Sequence, residues 1–106
     1  MIARNVTMRL KAHSLADFTQ TLEKEVIPLL RKQKGFEDEI TFIGSDGQEA
    51  VGISFWDKQE NAEAYSRGSY AEVLKALAKV LDGTPRVQNW DVCNSTAHKI
   101  AASVAA

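Results

Sequence analysis

The 106-residue chain predicts an α+β domain in which one antiparallel sheet carries helices on one face, with elements in the order β-α-β-β-α-α-β. Three observations carry that expectation. The first residues alternate apolar and polar as a strand does. A Gly44-Ser45-Asp46-Gly47 turn signal joins two further strand-like runs into a hairpin. Two stretches with apolar residues at three- and four-residue steps flank that hairpin, one on each side.

The elements follow in turn. Along residues 2–10, Ile2, Val6, Met8 and Leu10 point one way, and Ala3, Asn5, Thr7 and Arg9 the other. Ser14 is placed to cap a helix, with Asp17 at the capping-box position. Leu15, Phe18, Leu22, Val26 and Leu29 form its apolar stripe. Pro28 lies inside that stripe, removes a backbone donor and crowds the preceding turn, which predicts a kink near Lys24–Pro28. Gly35 is expected to end the helix in the left-handed region, with Phe36 folding back on the last turn.

A second strand is expected over residues 38–44, with Ile40 and Phe42 on one side and Thr41 and Ile43 on the other. The third is Glu49–Trp56. It runs into a helix from Lys58 to about Arg67, with Asp57 and Glu60 spaced as an N-cap and its capping-box partner. Gly68 stops that helix. Ser69 and Glu72 start another, whose stripe is Tyr70, Val73, Leu74, Leu77 and Leu81 and whose end falls at Gly83 and Pro85. Residues 86–96 alternate around Val87, Trp90 and Val92 as a fourth strand. This is the split βαβ, ferredoxin-like plan with its second crossover broken into two helices. It occupies residues 1–98 and leaves 99–106 as a short C-terminal tail expected to dock on a partner subunit.

Such a sheet has helices on one face only, yet its strands are half apolar on both. A second layer from another copy of the chain follows, and a homodimer with sheets face to face is expected. In that arrangement Gly52 and Ser54 leave room for a close neighbour, which the partner's sheet would supply.

Bulk properties narrow the function classes. Hydrophobic residues make up 44% and charged residues 25%, with a formal net charge of -1, so the basic excess of a nucleic-acid binder is missing. The single cysteine, Cys93, leaves no internal disulfide and reads as a small buried residue. The N-terminus has no signal-peptide core and no run of about 18 apolar residues occurs, so the cytoplasm is the expected location and no membrane is crossed.

The element order, the segment IPLLRKQKGF at Ile27–Phe36, the segment ISFWDKQENAEAY that leads into the broken helix, and WDVCNSTAH at Trp90–His98 resemble the dimeric α/β-barrel superfamily and, within it, the antibiotic-biosynthesis-monooxygenase-like (ABM) proteins. The resemblance covers roughly residues 2–98. It implies a dimeric α/β barrel and a small-molecule pocket. Among the activities it implies is oxygenation of a small aromatic or quinol-type compound with no cofactor, in which the substrate supplies its own electrons. The alternative is a non-enzymatic homodimer that holds a small apolar ligand or serves a structural role. The matching site positions are Asn5, Trp56 and Tyr65. Asn5 lies where the heme-degrading branch carries an asparagine, and Tyr65 about where it carries a tryptophan. That branch has a histidine on the next helix. Here the helix reads YAEVLKALAKVL, without the axial ligand that heme requires, and no cofactor is expected.

Each candidate has a plainer reading. Asn5 orients a substrate oxygen or is an ordinary bonded strand amide. Trp56 walls a pocket or fills the core or dimer contact, as large aromatics commonly do. Tyr65 and Tyr70 donate phenolic hydrogen bonds or pack with wet hydroxyls, and Trp90 reads as packing near the dimer face. His13 and His98 are near-neutral titrators in principle but have no carboxylate or cysteine at ligand spacing, so they read as lone surface histidines and no metal site is expected. Arg67 reads as a solvated helix end. Glu37-Asp38-Glu39 reads as a solvated or edge-protecting acidic run.

Overall fold

A computed structural model of the chain describes residues 1–102. Its elements are β1 (Ile2–Arg9), a first helix in three parts, β2 (Phe36–Ile43), β3 (Glu49–Trp56), α3 (Gln59–Arg67), α4 (Tyr70–Leu77) and β4 (Arg86–Asp91). The first helix comprises α1 (Leu15–Thr21), a π-helical turn (Leu22–Val26) and α2 (Ile27–Arg31). The four strands form one antiparallel sheet in the order β2-β3-β1-β4. That is the ferredoxin-like arrangement the element order predicts.

The irregularity around Pro28 is a wide turn within a continuous helix. Pro28 has no N–H to offer the Lys24 carbonyl, and its ring crowds that carbonyl. The helix relieves this one turn earlier, where the Ile27 N–H bonds the Leu22 carbonyl, five residues back. Gly35 ends the helix at φ +82°, as expected. Its position also has no room for a side chain, because a Cβ there would collide with the Asp57 carboxylate.

The register assigns the two faces. Trp56, Ser54, Gly52 and Ala50 on β3 share the helix side with Ile2, Arg4, Val6 and Met8 on β1. On β2, Glu39 and Thr41 lie opposite Ser54 and Gly52 on that same side. The core forms there, from Leu10, Phe18, Val26, Leu30, Trp56, Tyr65, Val73, Leu77 and Val80 among others. The other face carries Ile40 and Phe42, Val51, Ile53 and Phe55, Asn5 and Trp90. Phe42 and Trp90 are more than half exposed there. Gly52 and Ser54 therefore make space beneath the helices, on the side away from the bare sheet face where a partner's sheet would lie.

Several local expectations are corrected. None of the three capping boxes forms. Ser14 turns back to the Ala12 carbonyl, Asp57 accepts a hydrogen bond from the Asn61 side chain at 2.8 Å, and Lys58 takes the N-cap of α3. Ser69 already has helical dihedrals, φ -64° and ψ -17°, because only the short break at Gly68 separates α3 from α4. Helix α4 ends at Leu77, well before Gly83. The chain then turns so that Val80 and Leu81 reach the core and Leu81 bridges Leu10. β4 stops at Asp91, and Cys93, expected to be buried, is exposed beyond it.

His98, expected to be alone at the surface, crosses toward β2. Its Nε2 lies 3.3 Å from the Asp38 carboxylate, and its ring lies against Phe55 at 5.2 Å. Of the tail, Ile100 pairs with Ser95. The docking expected for its last residues, 103–106, lies outside the described residues. No helix among the described residues is long and apolar enough to cross a membrane.

Candidate functional site

A cleft with a cavity volume of about 60 Å³ lies between the sheet and the helices. Its floor is β1, β3 and β2. One wall is the first helix, through Leu22, Val26 and Leu30, and the other is α3 and α4, through Tyr65, Val73 and Leu77. The walls are almost wholly apolar. The polar groups that reach the cleft are Arg4, Ser54, Glu39, Thr41, Tyr65 and Tyr70.

Three of these form a row. Arg4 pairs with Ser54 across β1 and β3, and Ser54 pairs with Glu39 across β3 and β2. A cation, a hydroxyl and a carboxyl therefore lie side by side on the floor, one strand spacing apart. Ser54 accepts the Trp56 indole N–H at 2.8 Å. With an acceptor role already filled, its own O–H is free to donate into the cleft. Glu39 accepts a hydrogen bond from the Thr41 hydroxyl. Burial raises the Glu39 carboxyl above the usual carboxylate range. The Thr41 bond opposes that shift, and the nearby charges of Asp38 and Glu23 add to it.

Arg4 is 2% exposed although it lies mid-strand. Its guanidinium carbon sits 4.0 Å from the Tyr70 ring centroid and 5.3 Å from that of Tyr65, and one terminal nitrogen donates to Ser66 at 3.3 Å. Tyr65 is buried, and loss of solvation pushes its phenol up to about 12, partly offset by the Arg4 charge. It therefore stays a neutral donor at any working pH.

Of the three residues singled out in the sequence, only Tyr65 lines the cleft. Trp56 is fully buried, stacked on Tyr65 at 5.0 Å and edge-on to Phe36 at 5.7 Å. It acts behind the cleft, holding Tyr65 and Ser54 in place. Asn5 lies on the opposite face of the sheet, where its amide donates to Thr7 at 3.3 Å. The sequence assigns Arg4 no role, places Ser54 against a partner's sheet and puts Glu39 in a solvated or edge-protecting acidic run; all three line the cleft instead. For Arg4 a signal exists: the alternation that puts Ile2, Val6 and Met8 toward the core puts residue 4 there too. Among the described residues no group of three or more His, Cys, Asp or Glu side chains is arranged to hold a metal ion.

Neither a protein-family model nor a curated protein matches the sequence. Solved structures do. A protein from Bordetella bronchiseptica, provisionally named an antibiotic biosynthesis monooxygenase, superposes with a TM-score of 0.74 over 86% of this chain and 95% of its own, at 15% identity. The chain has the fold of the antibiotic biosynthesis monooxygenase (ABM) proteins. SnoaB, a cofactor-independent oxygenase from Streptomyces nogalater, shares this ABM fold with a TM-score of 0.72 over 90% of this chain and 95% of its own, at 13% identity. A protein of unknown function from Nitrosomonas europaea gives 0.73 over 90% and 91%, at 18% identity. At such identities the likeness is one of fold, and a fold does not by itself fix a function.

Proposed function

We propose that the protein is a cofactor-independent monooxygenase of a small aromatic or quinol-type compound, bound in the cleft between sheet and helices. The observation that carries this reading is the cleft itself, with apolar walls on two sides and a few converging polar groups on its floor. The cavity of about 60 Å³ falls short of the roughly 150 Å³ of apolar void that takes benzene, which argues against a polycyclic compound. Even one ring therefore draws on the open side of the cleft. Ser54 and the neutral phenol of Tyr65 would orient the substrate's oxygens. The electron balance closes on the substrate alone. A quinol gives two electrons on becoming a quinone and two more as a ring carbon gains oxygen, so that dioxygen ends as one product oxygen and one water.

The working unit in this reading is a homodimer whose sheets meet through Ile40, Phe42, Val51, Ile53 and Trp90, an apolar band of which Ile40, Phe42 and Trp90 stand exposed among the described residues. Asn5 would then lie within that dimer face, on the far side of the sheet from the bound ring. Oxygen consumption with hydroquinone- and anthrone-type compounds tests the activity. Uptake above the uncatalysed rate is expected for the hydroquinone first, and uptake no faster than buffer alone would count against the oxygenase. Ligand binding without uptake would instead favour a non-enzymatic binding protein.

A further inference from the structure

We infer that Arg4 is an anion-binding residue, and that the natural ligand is a single-ring compound carrying an acidic oxygen, a phenolate, at the Arg4 end of the cleft. The inference rests on the cleft being the ligand site and specifies what that site selects.

Arg4 is buried and permanently charged, and no carboxylate among the described residues pairs with it. A guanidinium carries five N–H donors in a planar fork. Here one terminal nitrogen bonds Ser66, and Nε is enclosed with no partner at all. A charge withdrawn from water in this way is tolerated when an anion completes it. The two tyrosine rings supply part of the compensation through their π faces. They cannot accept the in-plane N–H groups.

Glu39 stands at the far end of the floor row. Two strand spacings separate it from Arg4, roughly 10 Å between backbones, and the charges that act on its carboxyl are those of Asp38 and Glu23, not that of Arg4. None of the described residues supplies the missing counter-charge, and we place it on the ligand. The geometry also selects its form. Val6, Met8, Leu30, Val73 and Leu77 leave an apolar slot for a ring. Ser54 and the Glu39–Thr41 pair then face the ring's other substituent with hydrogen-bonding groups. A phenolate with a second, neutral polar group fits both ends, whereas a dianion would meet Glu39.

The test uses 4-nitrophenol and its uncharged analogue nitrobenzene, titrated into the intact protein, with tryptophan fluorescence and the yellow nitrophenolate band as readouts. The wild type is expected to bind nitrophenolate at least tenfold more tightly than nitrobenzene, and to move the ionisation midpoint of the bound phenol downward by at least one pH unit. R4Q should lose that preference while still binding nitrobenzene, and R4K should keep part of it. Because the wild-type comparison needs no variant, it decides the question even if R4Q fails to fold. Equal affinity for the two probes, or an R4Q protein that keeps the preference, overturns the assignment. Oxygen uptake on hydroquinone without the anionic preference removes this inference and leaves the oxygenase reading. The preference without uptake does the reverse. Binding of neither probe removes the cleft as the ligand site and this inference with it.

Discussion

Replacing Gly52 by valine should make the protein more stable and less able to bind. Gly52 lies on the floor of the cleft between Val6 on β1 and Thr41 on β2. A Cβ there finds the Met8 methyl at 3.5 Å, an ordinary contact, and the backbone is not in the left-handed region, so nothing opposes a side chain. A strand-interior glycine forfeits about 0.5–1 kcal/mol in backbone entropy. Filling the whole cavity of about 60 Å³ adds at most ~1.4 kcal/mol at ~24 cal/mol per Å³. The cleft opens to solvent, so the sum falls nearer 1 than 2 kcal/mol, a rise of roughly 5 °C in melting temperature for a domain of this size. The methyls of valine would occupy the slot meant for the ligand ring, and affinity for nitrophenolate should fall at least tenfold. Thermal unfolding followed by circular dichroism at fixed protein concentration, paired with the fluorescence titration, checks both halves. A G52V protein that melts several degrees lower and binds normally would refute the reasoning. It would put Gly52 against a partner's sheet, as the sequence alone suggests.

Three further outcomes follow from the same structure. Trp56→Ala removes a fully buried ring and should cost about 3–5 kcal/mol in urea denaturation, whereas Trp56→Phe should cost less but weaken binding by freeing Ser54. For Glu39, whose folded-state carboxyl is raised above 4.5 by burial, the folded protein holds a proton more tightly than the unfolded chain. Its contribution is thus favourable below about pH 4.5 and is lost as pH rises through the raised value. E39Q should therefore melt higher than wild type near neutrality, with the difference vanishing toward acid. Phe42→Asp places a charge in the exposed apolar band of β2 and should turn a dimer into a monomer in analytical ultracentrifugation. An unchanged mass would remove that face as the dimer contact.

Much of the architecture was legible because it rests on local chemistry. Pro28 cannot donate to Lys24, so trouble in that turn was predictable. Its form as a π turn was not, since a kink and a wide turn relieve the same clash. The hairpin was legible from Gly44 to Gly47. There the Asp46 carboxylate accepts the Gln48 and Glu49 amides at 2.9 and 3.2 Å. The caps failed because spacing alone does not establish the extended backbone that an N-cap needs, and Ser69 illustrates this with its helical dihedrals.

The site was least legible. Trp56 and Tyr65 are candidates through the family resemblance, and they do stack, but behind and beside the cleft rather than across it. Asn5 is a candidate because the family resemblance points to that position, while its neighbour Arg4 matches no family position. Long-range pairs such as His98 with Asp38 leave no local trace, because sixty residues separate them in the chain and only the sheet order brings them together.

The π turn has a consequence for how this chain can change length. Leu22, Val26 and Leu30 stand four residues apart and all face the cleft. On an uninterrupted α-helix, eight residues carry a side chain about 80° around the axis, and Leu30 would begin to look past the slot. The wider turn takes up much of that drift. Loops such as the Gly44–Gly47 hairpin can gain or lose a residue and alter only their own outline. In the first helix, a single deletion between Leu22 and Val26 would leave Leu30 seven residues from Leu22, which a regular α-helix turns to within about 20° of the same face, so the wall would stand without the wide turn. The form of the turn is thus written partly in the count of residues along this helix, a kind of information that no single side-chain substitution can carry.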